Sequence, residues 1–148
     1  MIIDEHNYEM QSNWIREKIV TIEVSGKPTL EIATPLDFWP ESPNGLYSPE
    51  DLFLASAVSC FGVSIHGVSK RFHAEFSDFD VTARANLAKG EYGWEFEKIS
   101  ISVKIYVTDK SQVNKMEKVA DRAHRYCVVA NSMKCPVVVD SEIIVREE

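Results

Sequence analysis

The stretch SPEDLFLASAVSCFGVSIHGVSKRF, residues 48–72, decides how the rest of the chain is read. Ser48 can cap a helix, Pro49 suits the first helical position, and Glu50 and Asp51 favour the positive end of the helix. The helix starting there continues through Phe53, Ala57, Cys60, Ser64 and Val68 to about Phe72. Leu52 to Val68 carries no charge, so the helix is apolar nearly all round and is expected to be buried on most sides. The uncharged run falls short of a membrane span and includes Ser56, Ser59, Ser64 and His66, which favours burial in protein over lipid. Ala55, Ser56, Ser59, Gly62 and Gly67 would let another backbone come close.

Working outward, the flanking segments read mostly as strands. Upstream, Ile19 to Val24 is β-branched, Ser25-Gly26-Lys27-Pro28 supplies a turn, and Thr29 to Thr34 follows, which predicts a hairpin. Pro35, Pro40, Pro43, Asn44 and Gly45 then make a loop. Downstream, Val81, Ala83, Ala85 and Leu87 alternate with polar residues, and Ala88 to Trp94 reads as a hairpin turn. Ile99, Ile101, Val103, Ile105 and Val107 then line one face of a second strand. Thr108 or Asp109 caps a second helix with Val113, Met116, Val119, Ala120 and Ala123 on one face. Val137 to Val145 closes the chain as a last strand or bent pair. The order predicts an α+β fold, a largely antiparallel sheet covering a long buried helix, with a second helix beside it.

Composition narrows the function classes. A chain of 148 residues fits one domain, 1–148, and 45% hydrophobic with 26% charged residues argues against disorder. The net charge of −7, with Lys and Arg scattered, speaks against nucleic-acid binding and a membrane-surface role. Met1 to Trp14 mixes Asp4, Glu5, His6 and Glu9 with no apolar segment, unlike a signal peptide. Three cysteines without such a signal suggest a reducing cytoplasm.

Those cysteines are the candidates for chemistry. Cys60 sits mid-helix, where a small core residue is the plainer interpretation; if reactive, it needs a cation from another element to lower its pKa. Cys127 shares a helix face with His124, whose imidazolium would favour a thiolate, but it also fits as the last core residue of that helix. Cys135, before Pro136, reads as structural. His124, Cys127 and Cys135 fall short of a zinc ligand set, and Cys60 and His66 lie on different helix faces, so neither a metal nor a Cys–His dyad is favoured. No cofactor-binding motif is present in the sequence.

Two segments together resemble the OsmC/Ohr family of cysteine-based hydroperoxide-reducing proteins. Pro49-Glu50-Asp51-Leu52-Phe53-Leu54-Ala55 through Cys60-Phe61 is similar to its first signature. Ala123 to Cys127, then Asn131, Ser132, Met133 and Pro136-Val137, is similar to its second, and the likeness runs from about Ile19 to Val145. The resemblance implies an OsmC-like fold in an intertwined homodimer with sites at the interface. It implies Cys60 as the peroxidatic cysteine, Cys127 as the resolving cysteine, Glu50 as the acidic site residue, and Arg16 as the nearest counterpart of the family's arginine. The glycines that flank that arginine in the Ohr branch are absent here, and Val128-Val129-Ala130 stands where the family usually has Pro-Val-Ser.

The implied activity is reduction of a hydroperoxide, organic more than hydrogen peroxide, with an external dithiol restoring both thiols. A dimer that has lost peroxidase activity and serves as a small-molecule-binding or structural protein is the alternative. Glu50 and Cys60 lie ten residues apart on one helix, roughly 15 Å along its axis, so a shared site would require a second subunit.

Overall fold

The structure, a computed structural model, describes residues 4–147; the first three residues of the Met1–Trp14 segment and residue 148 lie outside the described residues. The chain divides into two compact units, residues up to 53 and from 54 onward, the boundary falling inside the first helix.

The first unit is an antiparallel sheet of β1 (Gln11–Arg16), β2 (Ile19–Glu23) and β3 (Leu30–Ala33), in that order. The β2–β3 hairpin is the one its β-branched residues predict. β1 was not foreseen, because every residue in it is exposed and its sequence has no apolar alternation. Its register shifts between Trp14 and Arg16, and the chain turns at Glu17, which has φ 46. The Trp14 indole closes that turn by donating to the Glu17 carbonyl at 2.8 Å. Ile19, Ala33 and Trp39 form a small core with Leu46 against it.

This unit also starts the long helix, α1 (Pro49–Arg71). The Asp51 amide donates to the Ser48 hydroxyl at 3.0 Å, and the Ser48 amide donates to the Asp51 carboxylate at 2.9 Å. Two amides that would otherwise lack partners are satisfied reciprocally, which fixes the helix start where the sequence places it.

In the second unit α1 buries a narrow stripe, Ala57, Phe61, Ile65 and Ser69, while Val63 is 72% exposed. The expectation that α1 is buried on most sides does not hold within one chain. A spacing of four residues turns one position per turn toward the protein, and the remaining apolar residues stay at least partly open. The helix runs almost to Phe72, as the sequence predicts; at 23 residues it is long and apolar enough, by length and composition, to cross a bilayer. Its buried stripe shows that one side packs on protein. The ring of Phe79 lies 3.7 Å from where a Cβ on Gly62 would stand, an ordinary packing distance, so the strand carrying Phe79 lies beneath the helix here.

That strand is β4 (Asp78–Gly90), in a sheet with β5 (Gly93–Val107) and β6 (Val137–Val145). β4 and β5 form an antiparallel hairpin with a register shift at Asn86 and Leu87. Its turn is tighter than the sequence suggested, just Glu91 and Tyr92, with Gly93 at φ 125 making it possible. Ile99, Ile101, Val103, Ile105 and Val107 are all buried, as their alternation predicts.

β6 pairs with β5 in parallel, the one parallel strand pair in an otherwise antiparallel set of described ladders. Parallel neighbours need a crossover, and α2 (Val113–Arg125) provides it. The Asp109 carboxylate accepts the Ser111 amide at 2.9 Å and caps a 3-10 turn, Lys110–Gln112, that leads into α2. Met116, Val119, Ala120 and Ala123 of α2 are buried. A short helix that the sequence did not disclose, α3 (Val128–Asn131), follows at once.

Candidate active site

The corner between α2 and α3 brings Cys127 to Cys60. Tyr126 ends α2, and Cys127 breaks the helical path with φ −68 and ψ 108, so it stands at the start of α3. Its amide donates to the His124 carbonyl at 3.2 Å, and its carbonyl accepts the Asn131 amide at 3.0 Å. Cys127 is 1% exposed, whereas Cys60, just before the buried Phe61, is half-buried. The two thiols lie close enough to act on each other's ionisation. The second helix therefore ends beside the middle of the first.

Burial pushes the Cys60 thiol up, but donors overcome it: the Val129 amide, the Cys127 thiol, the Ser64 hydroxyl and the Val128 amide. The net result is a thiol below its ordinary value. Burial pushes the Cys127 thiol up as well. The Ala130 and Val129 amides pull it partly back, while the hydrogen bond and the charge of Cys60 raise it further, leaving it above its ordinary value. The pair therefore ionises unequally, and Cys60 is the thiol that gives up its proton first.

The sequence suggested that a cation would have to lower Cys60. Within one chain, the strongest lowering groups are uncharged donors, two of them backbone amides at the start of α3. The signal was present at Val128, where the resembling family usually has proline. Proline has no N–H, so valine adds a donor that proline would remove.

Val128→Pro tests this directly. Proline suits the first position of α3, and the φ and ψ of Cys127 are those a residue before proline adopts readily, so the fold should persist. The Cys60 titration should move up, and its alkylation at neutral pH should slow by about tenfold, the lower end of the worth of one hydrogen bond to a charged group. Thiolate absorbance against pH reads the shift, and a titration unchanged from wild type would contradict the assignment.

Among the described residues, the other predicted residues have partners of their own or none. The Arg16 guanidinium stands 3.9 Å from the Glu17 carboxylate and is 61% exposed. Glu50 occupies the first turn of α1, and its buried Oε1 has no hydrogen-bond partner among the described residues. His66 meets Phe76 edge to face, with centroids 6.3 Å apart. Cys135 is half-buried near the Lys134–Glu95 ion pair. Ser64, one helical turn beyond Cys60, is the site residue that sequence reasoning passed over; its i, i+4 spacing from Cys60 was the available signal.

Comparison with known proteins agrees with this architecture. The family model described as OsmC-like protein matches residues 42–142, more than half of the chain. No curated protein sequence matches. Among solved structures, an OsmC-like protein of unknown function from Vibrio cholerae superposes with a TM-score of 0.81 at 21% identity, covering 95% of this chain and 100% of that one. An organic hydroperoxide resistance protein OsmC from Legionella pneumophila gives 0.68 at 23% identity, covering 95% and 100%. The organic hydroperoxide resistance protein OhrB of Bacillus subtilis gives 0.66 at 21% identity, covering 93% and 98%. These likenesses establish a shared fold.

Proposed function

We propose that this chain, which belongs to the OsmC-like protein family, reduces hydroperoxides with Cys60 as the attacking thiolate and Cys127 as the resolving thiol. The observation that carries the proposal is that Cys60 and Cys127 act on each other's ionisation, with Cys60 displaced below and Cys127 above its ordinary value. A thiolate is the nucleophile that peroxides require, and a second thiol in contact can convert the resulting sulfenic acid into a disulfide. The peroxide-resistance names of the Legionella and Bacillus structures point the same way. We assign an organic hydroperoxide as the preferred substrate, because half-buried Cys60 lies on the apolar helix α1. An external dithiol restores the pair, as suits a reducing cytoplasm. Consumption of an alkyl hydroperoxide with a dithiol present, lost in Cys60→Ser, tests the proposal. An inert wild-type chain would contradict it and favour a catalytically silent dimer.

The same reading assigns a homodimer. Ala55, Ser59, Val63 and Gly67 leave a face of small, uncharged residues open on α1, and Glu50 holds a buried oxygen in want of a donor. A second chain would cover the face, and its Arg16 is the donor the family resemblance assigns to Glu50. Sedimentation at micromolar concentration should give twice the chain mass; a monomer would contradict both the dimer and a site completed across it.

A further inference from the structure

We propose that the exposed side of α2 is the docking surface for the dithiol protein that returns the Cys60–Cys127 disulfide to thiols, and that this partner is acidic. The inference rests on the function above and names the class of partner it requires. Lys115, Lys118, Arg122 and Arg125 are all exposed, and their spacing of three, four and three residues sets them in one stripe along α2. Glu117 and Asp121 fall on a neighbouring stripe. The Arg125 guanidinium stands 3.3 Å from the Asp121 carboxylate. Lys115, Lys118 and Arg122 have no carboxylate partner among the described residues. Residues 1–53 carry ten acids and three bases and residues 54–148 thirteen of each, so the whole net charge of −7 belongs to the first unit. The stripe therefore stands on a unit with no net charge of its own to cancel it.

The stripe leads to the thiols. Arg122 Nη1 donates to the Tyr126 hydroxyl at 3.5 Å, and Tyr126 and Val128, both exposed, flank the buried Cys127 along the chain. An exposed aromatic residue and a valine beside a charged margin match the make-up of a protein interface, where apolar anchors are rimmed by polar groups. From Lys115 to Arg125 the stripe runs roughly 15 Å along the helix axis, longer than a small dithiol. Only a partner of peptide or protein size engages all of it, and four cations select one that is acidic.

The exchange balances with that dithiol as the sole reductant. One partner sulfur, as a thiolate, bonds to the sulfur of Cys60, the more exposed of the pair, and the Cys60–Cys127 bond breaks. Cys127 leaves as a thiolate and takes the proton of the partner's second thiol. That second sulfur bonds to the first and displaces Cys60 as a thiolate. The partner is oxidised by two electrons to a disulfide, and the Cys60–Cys127 pair is reduced by the same two.

Peptides that share one Cys-Gly-Pro-Cys segment, flanked by glutamates, by serines or by lysines, provide the test. The disulfide is made beforehand with diamide, a thiol oxidant, so that the reading does not depend on peroxide. Its reduction by each peptide is followed by rapid mixing at low salt. Each rate is divided by that peptide's rate with hydroxyethyl disulfide, which removes differences in thiol reactivity. The glutamate peptide should exceed the lysine peptide by about tenfold, the low end of electrostatic steering, and added salt should close the gap. In the triple variant Lys115→Glu, Lys118→Glu, Arg122→Glu, changed only at exposed positions, the order should reverse. Its reduction by uncharged dithiothreitol should stay within about twofold of wild type, which shows that the disulfide itself is unaltered. Equal rates for the three peptides, or an order that the triple variant leaves unchanged, would overturn the proposal. A triple variant altered in oligomeric state but not in peptide order would overturn it too, and give the stripe to a second copy of this chain. If the peptides obey the order but an alkyl hydroperoxide fails to form the disulfide, the peroxidase reading falls and the docking surface stands.

Discussion

Cys60→Ser should abolish alkyl hydroperoxide consumption, with a loss of at least about a thousandfold, as removal of a catalytic nucleophile commonly produces. The size of the effect follows from ionisation. The donors around Cys60 hold a thiol below its ordinary value, but a serine hydroxyl starts too high for the same donors to ionise it near neutral pH. The change is nearly isosteric, and Cys60 lies beside the buried stripe of α1, outside it. Its fold, read by circular dichroism and thermal melting, should therefore match wild type. Full activity in the folded variant would remove Cys60 from the chemistry.

The second large effect belongs to the resolving step. Cys127→Ser leaves Cys60 able to attack but removes its partner for disulfide formation. The sulfenic acid should then persist, and under excess peroxide Cys60 should gain a second oxygen and become a sulfinic acid that dithiols do not restore. Mass spectrometry of the Cys60 peptide should show near-complete over-oxidation in the variant and little in wild type. Cys127 is buried, but serine is no larger, so the cost in stability is that of a buried hydroxyl, on the order of 1–3 kcal/mol. Equal over-oxidation in the two proteins would mean that Cys127 does not protect Cys60.

Much of this arrangement was legible in the sequence, for identifiable reasons. The start of α1 was readable because Ser48 and Asp51 satisfy each other's amides through side chains only three positions apart. The buried face of β5 was readable because its alternation repeats over Ile99 to Val107 against one hydrophobic layer. β1 was hidden because an edge strand exposed along its whole length carries no burial pattern. The exposure of α1 was missed for a related reason: composition tells that a helix is apolar, not what covers it.

The site followed the same division. The family resemblance named Cys60 and Cys127, and the fold brings them into contact. What lowers Cys60 was not legible, because two of its donors are backbone amides whose direction depends on the unforeseen α3. Backbone donors leave no side-chain signature, so the search for a cation looked to side chains. The valine at 128 was the trace they left.

The central claim, that Cys60 and Cys127 form one redox unit, is tested most directly by adding one equivalent of alkyl hydroperoxide per reduced chain and mapping the thiols. The account predicts the loss of two free thiols per chain, a peptide joining Cys60 to Cys127 in a digest made without reductant, and Cys135 still reduced. A peptide joining Cys60 to Cys135, or all three thiols still free after the peroxide is spent, would contradict it.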